Sequence, residues 1–130
     1  MPSAVTKAEL EALLNKRFDA LTGVREKIEP QRFPSGIPEL DGALGGLPRG
    51  SLSEVYGPPS SGRMSLALSL LAEAAARRET CAYVDACDAF DPASAARAGV
   101  DLDRLLWVRC GGRAGHAMQA ADLLAQAGGF

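Results

Sequence analysis

The sequence predicts a layered α/β domain: a parallel sheet flanked by helices, preceded by a separate N-terminal helix. Three observations carry this. From residue 35 onward, strand candidates alternate with helix candidates, the order that produces parallel strands joined by crossovers. The strand candidates are short, unbroken apolar runs, as strands covered on both faces are. Aromatic residues make up only 5% of the chain while alanine and leucine dominate, a balance that favours helix over an all-β fold.

The elements follow in order. Thr6–Glu9 reads T-x-x-E, a capping box, with Val5 and Leu10 placed to form a hydrophobic staple. Leu10, Leu13, Leu14, Phe18 and Leu21 then recur at helical spacing until Gly23. The resulting stripe could pack on its own domain or dock on a neighbouring subunit. Val24–Pro34 is polar, carries two prolines and reads as a linker, so residues 1–34 are set apart from 35–130. A short helix is expected near Pro38–Leu44, followed by the turn GGLPRG. Ser51–Tyr56 is the first strand candidate, and Arg63–Arg78 is a helix apolar on most faces, as a buried helix is. Thr80–Asp85 is the second strand, and Asp91-Pro92 opens a short helix to about Ala98, closed by Gly99. Leu105–Val108 is the third strand, and His116–Ala127 a further helix stopped by Gly128-Gly129. Such a helix normally delivers another strand, so the chain is expected to be a fragment or a truncated gene product.

Composition narrows the function classes. The 14 basic and 16 acidic residues leave a net charge of −2, so the chain as a whole has no basic footprint for nucleic acid. Three cysteines without a C-x-x-C pair argue against a disulfide framework or zinc site and fit a reducing cytoplasm. There is no signal-peptide pattern and no apolar run of the roughly 20 residues a membrane span needs.

The chemistry concentrates in YGPPSSGRMS, residues 56–65. A strand, a glycine turn and a helix are the context in which G-x-x-x-x-G cradles phosphate with backbone N–H groups and the helix dipole. Gly57 and Gly62 hold the glycine positions, with Ser60, Ser61 and Ser65 around them. Arg63 stands where a phosphate loop carries lysine, and its planar guanidinium is bulkier and differently directed. Met64 stands where a hydroxyl would meet Mg²⁺, and a thioether is a poor ligand for a hard cation. Ser65 lies about 100° further round the helix and does not replace it. Three readings stay open, in decreasing order of favour: no useful nucleotide binding, weak binding of ATP without turnover, and a working NTPase. Magnesium is not expected in any but the last.

Residues 35–108 resemble the bacterial RecA recombinase core, more loosely to Gly129. Three segments carry the resemblance: SG-x-x-x-LD-x-ALGG-LP-x-G, then YGP-x-SSG, then TCAYVDA with DP and GVDLDRLL. It implies a RecA-type P-loop NTPase core, here incomplete. It further implies that Cys87 occupies the position of the water-activating glutamate, and that Asp91 matches the aspartate that contacts adenine. Ser94 falls where the family has a base-stacking tyrosine. Lysine, magnesium hydroxyl, catalytic carboxylate and base stack have thus all changed, which implies an impaired site with no catalytic residue retained. The resemblance places single-stranded DNA binding, and a further acidic phosphate-loop partner, in segments beyond residue 130. It makes the N-terminal helix a docking element for an adjacent RecA-like protomer or another DNA-repair protein. LLWVRC is also similar to accessory proteins of the ImuA type, which pair a RecA core with a worn phosphate loop in recombination or the SOS response. The alternatives are a slow DNA-dependent ATPase and an interaction module that binds neither nucleotide nor DNA.

Other residues are given simpler roles. Cys87 lies among Asp85, Asp88 and Asp91 and is read as a small filler rather than a reactive thiol. His116 is read as a surface residue at a helix start. Arg97, Arg104, Arg109 and Arg113 alternate with Asp101 and Asp103 and are read as a solvated mixed face.

Overall fold

The computed structural model describes residues 6–22 and 29–130. Two compact units divide between Pro30 and Gln31. The first contains α1 (Lys7–Thr22). Its capping box forms as the sequence predicts. The Thr6 amide and hydroxyl both donate to the Glu9 carboxylate, at 2.9 and 2.8 Å, and the Glu9 amide reaches back to the Thr6 hydroxyl. Leu10, Leu13 and Leu14 are exposed. Val5, Gly23 and the side chains of Phe18 and Leu21 lie outside the described residues, as do residues 24–28 of the expected linker.

The second unit opens with a feature the sequence conceals. Within the expected linker, β1 (Arg32–Phe33) pairs antiparallel with β2 (Leu47–Pro48) in the glycine-proline turn. Gly46 makes the approach feasible, since a Cβ there would stand 2.6 Å from the Phe33 carbonyl oxygen. Between the two strands runs α2 (Pro38–Leu44), with proline in its first turn and Gly45 closing it in the left-handed region. Asp41 accepts the buried Ser35 amide at 2.8 Å. The Ser69 hydroxyl donates to the Ser35 carbonyl at 2.7 Å and ties this entry to α3 (Arg63–Ala76). At the other end of α3, Phe33 lies between the guanidinium groups of Arg49 and Arg77, and Arg49 pairs with Glu79.

The parallel sheet has two strands among the described residues. β3 (Cys81–Asp85) and β4 (Leu105–Arg109) pair in parallel with Tyr83 beside Trp107 and Asp85 beside Arg109. The connection passes through α4 (Pro92–Arg97) and a 3₁₀ turn at Leu102–Arg104. Phe90, Ala95 and Val100 form the buried centre, packed by Leu68, Leu71 and Ala72 of α3 and by Tyr83, Leu105 and Trp107. The Phe90 ring centroid lies 4.7 Å from that of Tyr83 and 5.2 Å from that of Trp107. α5 (Ala114–Ala127) lies against β3, starting two residues before His116.

Two expectations are corrected. Ser51–Tyr56 does not form a strand: Leu52 and Tyr56 are 99% and 86% exposed, and no strand among the described residues pairs with the segment. Backbone in strand conformation is held by a neighbour's hydrogen bonds, and sequence pattern alone supplies none. α3 is likewise half-buried from Leu66 to Glu73 rather than buried throughout, since only one pair of long strands lies beneath it. No helix among the described residues is long and apolar enough to cross a membrane.

Three of the four arginines of the expected mixed face have polar partners. Arg104 pairs with Asp101 and Arg109 with Asp88, while Arg97 donates to Ser94.

Asp85, at the end of β3, is the polar centre of this unit and only 3% exposed. One oxygen accepts the Ala89 amide at 3.0 Å. The other accepts the Phe90 amide at 3.0 Å and the Trp107 indole N–H at 3.2 Å. Burial pushes the carboxyl upward, but these bonds outweigh it and hold Asp85 below the usual carboxylate range. Asp85→Ala would strand three donors in the interior and is expected to lower unfolding free energy by about 3 kcal/mol, measured by urea titration with Trp107 fluorescence. A lowered carboxyl contributes stability above its unfolded-state value and loses it as pH falls through the folded one. Stability is therefore expected to decline below about pH 4, and less steeply in Asp85→Asn.

Candidate functional site

Between the extended segment and α3 the chain makes a compact turn. Gly57 begins it, and a Cβ there would meet the Ser61 hydroxyl at 2.8 Å. Ser60 sits at φ 60° and Gly62 at φ 91°, both in the left-handed region. The Ser61 amide donates back to the Pro58 carbonyl at 3.3 Å. Gly62 is the N-cap of α3 and supplies no side chain, so nothing from that residue covers the amides of the first turn. The first intrahelical bond runs from the Leu66 amide to the Gly62 carbonyl. The amides before it point out of the helix end, where the dipole adds positive potential. The turn-into-helix geometry expected at residues 57–65 is present; the strand expected to lead into it is not.

The turn forms one wall of a cleft of about 740 Å³. Ser60, Ser61, Gly62, Arg63, Met64 and Ser65 line that wall, and Tyr83, Asp85 and Cys87 come from the end of β3 and the loop after it. Parallel pairing explains the convergence: the carboxyl end of a strand and the amino end of its packed helix open to the same side. Six of the eight residues expected to touch nucleotide therefore share one cleft, with Cys87 opposite them.

Gly57 and Asp91 are not among the lining residues. Gly57 acts on the backbone beneath the turn. Asp91 is the N-cap of α4, accepting the Ser94 amide at 3.0 Å, the Ser94 hydroxyl, and the Ala93 amide at 3.4 Å. The Ser94 hydroxyl and amide hold its carboxyl below the usual range.

Two cleft residues escaped the sequence reading. Tyr83 looked like strand filling, yet its hydroxyl donates toward the Met64 sulfur at 3.9 Å. Asp85 was visible as the last residue of an apolar run, where a carboxylate is out of pattern. That break was the available signal.

Electrostatically the cleft is mixed. Arg63 is exposed and forms no ion pair among the described residues. Cys87 is exposed, and all three cysteines are free. A phosphate group fits the donors at the turn, which are main-chain amides with a guanidinium nearby. A hard divalent cation finds no free carboxylate: the side chain after Arg63 offers a thioether, Cys87 offers sulfur, Asp85 has both oxygens engaged, and the serine hydroxyls of the turn are the oxygen donors left.

Comparison with known proteins gives the frame for this geometry. The family profile of the RecA N-terminal domain matches residues 8–130. The chain is similar to Protein RecA of Rhodospirillum centenum, 42% identical over 123 residues, covering 92% of this chain and 34% of that protein. It is also similar to Protein RecA of Lactobacillus delbrueckii subsp. bulgaricus, 47% identical over 109 residues, covering 77% of the chain and 33% of the relative. For Protein RecA of Rickettsia bellii the figures are 37% over 129 residues, 98% and 37%. The chain thus spans about a third of the length of these curated relatives. By its match to the N-terminal domain over nearly its whole length, the chain belongs to the RecA family.

Proposed function

We propose that the protein is a RecA-like recombination and repair protein with an impaired ATP site, acting as an accessory or regulator in recombination or the SOS response. The observation that carries this is the composition of one cleft. The glycine turn and the α3 N-terminus form one wall with Arg63 and Met64, and Cys87 faces them; we read these three as standing at the lysine, magnesium-hydroxyl and water-activating positions of a P-loop NTPase core. A bound nucleotide would supply phosphates to the amides at Gly62–Ser65 and to Arg63. Nothing on the opposite wall would deprotonate a water: Cys87 replaces the carboxylate, and Asp85 is saturated. ATP is therefore held weakly and without Mg²⁺. The three free cysteines suit a reducing, cytoplasmic setting. The arginines Arg104 and Arg109 are paired with aspartates, which counts against a DNA-binding face there.

The partner surface we assign is α1, towards a RecA-like protomer or another DNA-repair protein. The exposed Leu10, Leu13 and Leu14 support it, being apolar side chains that a helix surface does not leave in water without consequence. The same exposure favours the interaction-module reading, in which the cleft is vestigial.

Purified protein is expected to show no DNA-stimulated ATPase above background. Arg63→Lys with Met64→Thr should raise nucleotide affinity by about tenfold and make it Mg²⁺-dependent, still without turnover. Rapid hydrolysis by the unaltered protein would overturn the proposal. For the partner surface, Leu10→Asp with Leu13→Asp is expected to weaken co-sedimentation with RecA filaments by about tenfold. Unchanged co-sedimentation would remove α1 from the interface.

A further inference from the structure

A thioether accepts hydrogen bonds weakly, whereas oxidation to the sulfoxide makes the same side chain polar and gives it an oxygen that accepts well. A donor held against a methionine sulfur therefore gains little from the thioether and much from its oxidised form. Among the described residues one methionine has such a donor. The Tyr83 hydroxyl points toward the Met64 sulfur at 3.9 Å and makes no other hydrogen bond among those residues.

Met64 is 40% exposed and lines the open cleft of about 740 Å³, so a small oxidant reaches it from solvent. The donor is held in place, since Tyr83 belongs to β3 and its ring packs on buried Phe90 with centroids 4.7 Å apart. Burial pushes the Tyr83 phenol upward, so it keeps its proton at neutral pH. Met118 of α5 provides the contrast: it is 73% exposed, and no donor meets its sulfur among the described residues.

We propose that Met64 is a site of reversible oxidation by hydroperoxides, with Tyr83 as the group that receives the product. A sulfur lone pair attacks one oxygen of hydrogen peroxide and the O–O bond breaks. The departing oxygen takes the proton of the attacking one and leaves as water. Sulfur loses two electrons and the peroxide gains them. Tyr83 donates to the new oxygen and retains its own proton. This bond is stronger in the product than in the thioether, so it favours the step as the S–O dipole develops. Its fixed placement on one side of the sulfur selects one of the two sulfoxide epimers. A dithiol reductant reverses the change, the sulfoxide oxygen leaving as water while two thiols become a disulfide. The oxidised side chain links α3 to β3 across the cleft and places an oxygen acceptor where the wall now offers sulfur. No part of this depends on nucleotide binding.

The test uses the full chain carrying Cys87→Ser, which removes the exposed thiol that competes for peroxide. Peptide mass spectrometry follows Met64 and Met118 in dilute hydrogen peroxide, and both are expected to oxidise. Adding Tyr83→Phe keeps a ring against Phe90 and is expected to slow Met64 by about fivefold, the worth of one neutral hydrogen bond, with Met118 unchanged. Epimer-specific sulfoxide reductases are expected to find Met64 sulfoxide mostly in one form and Met118 sulfoxide in near-equal amounts. Equal epimers at Met64 overturn the proposal, and this reading needs no change at Tyr83. A Met64 rate indifferent to Tyr83→Phe, or oxidation of Met118 alone, overturns it as well.

Discussion

The buried carboxylate of Asp85 is the constraint on which the rest of the domain depends. It ends β3 and accepts from two amides of the loop that follows, fixing the path of the chain into α4. It also accepts from Trp107 of β4, so one side chain couples the strand pair to the crossover. The Cys110 amide bonds the Asp85 carbonyl at 3.0 Å, so the residue's main chain also holds the exit from β4. A buried charge is tolerable only when its lone pairs are satisfied, and here the donors outweigh the burial. Phe90 is then delivered between Tyr83 and Trp107, and the small core closes on the three rings.

That satisfaction has a chemical consequence. A carboxylate with both oxygens engaged is a poor base and a poor metal ligand, although it lines the cleft. Asp91 is similarly absorbed by its helix cap, and its neighbour Ser94 by Arg97. The acidic groups near the cleft therefore serve the fold. What remains available at the cleft is main-chain N–H, one guanidinium, hydroxyls of serine and tyrosine and two sulfur atoms, a set suited to holding an anion and without a free carboxylate to activate water.

Family membership and site chemistry separate here. The glycine turn and its lead into α3 are the parts that backbone geometry requires. Arg63, Met64 and Cys87 are exposed, so packing imposes little on their side chains. Arg63 can stay in solvent and Met64 can lean on Tyr83 without disturbing the packing. The turn is also the connection into a core helix, so the fold itself requires it.

Much of this was legible in the residues themselves. Local signals are written in adjacent positions: the Thr6–Glu9 box, proline and Gly45 around α2, the Asp91-Pro92 cap and the glycine turn each depend on contacts within a few residues. The bounds of α2 agree with the expected Pro38–Leu44, and β3 and α4 begin within a residue of expectation. Pairing was not legible, because hydrogen bonds between strands join residues far apart in the chain. The β1–β2 ribbon arises where sequence shows a linker and a turn, and Ser51–Tyr56 stays unpaired although its composition suits a strand. Only tertiary structure decided the state of Asp85: the sequence shows an acid at the end of an apolar run, and folding brings Trp107 from the neighbouring strand to complete the donors that consume its capacity, whereas Asp91 is consumed within its own helix cap.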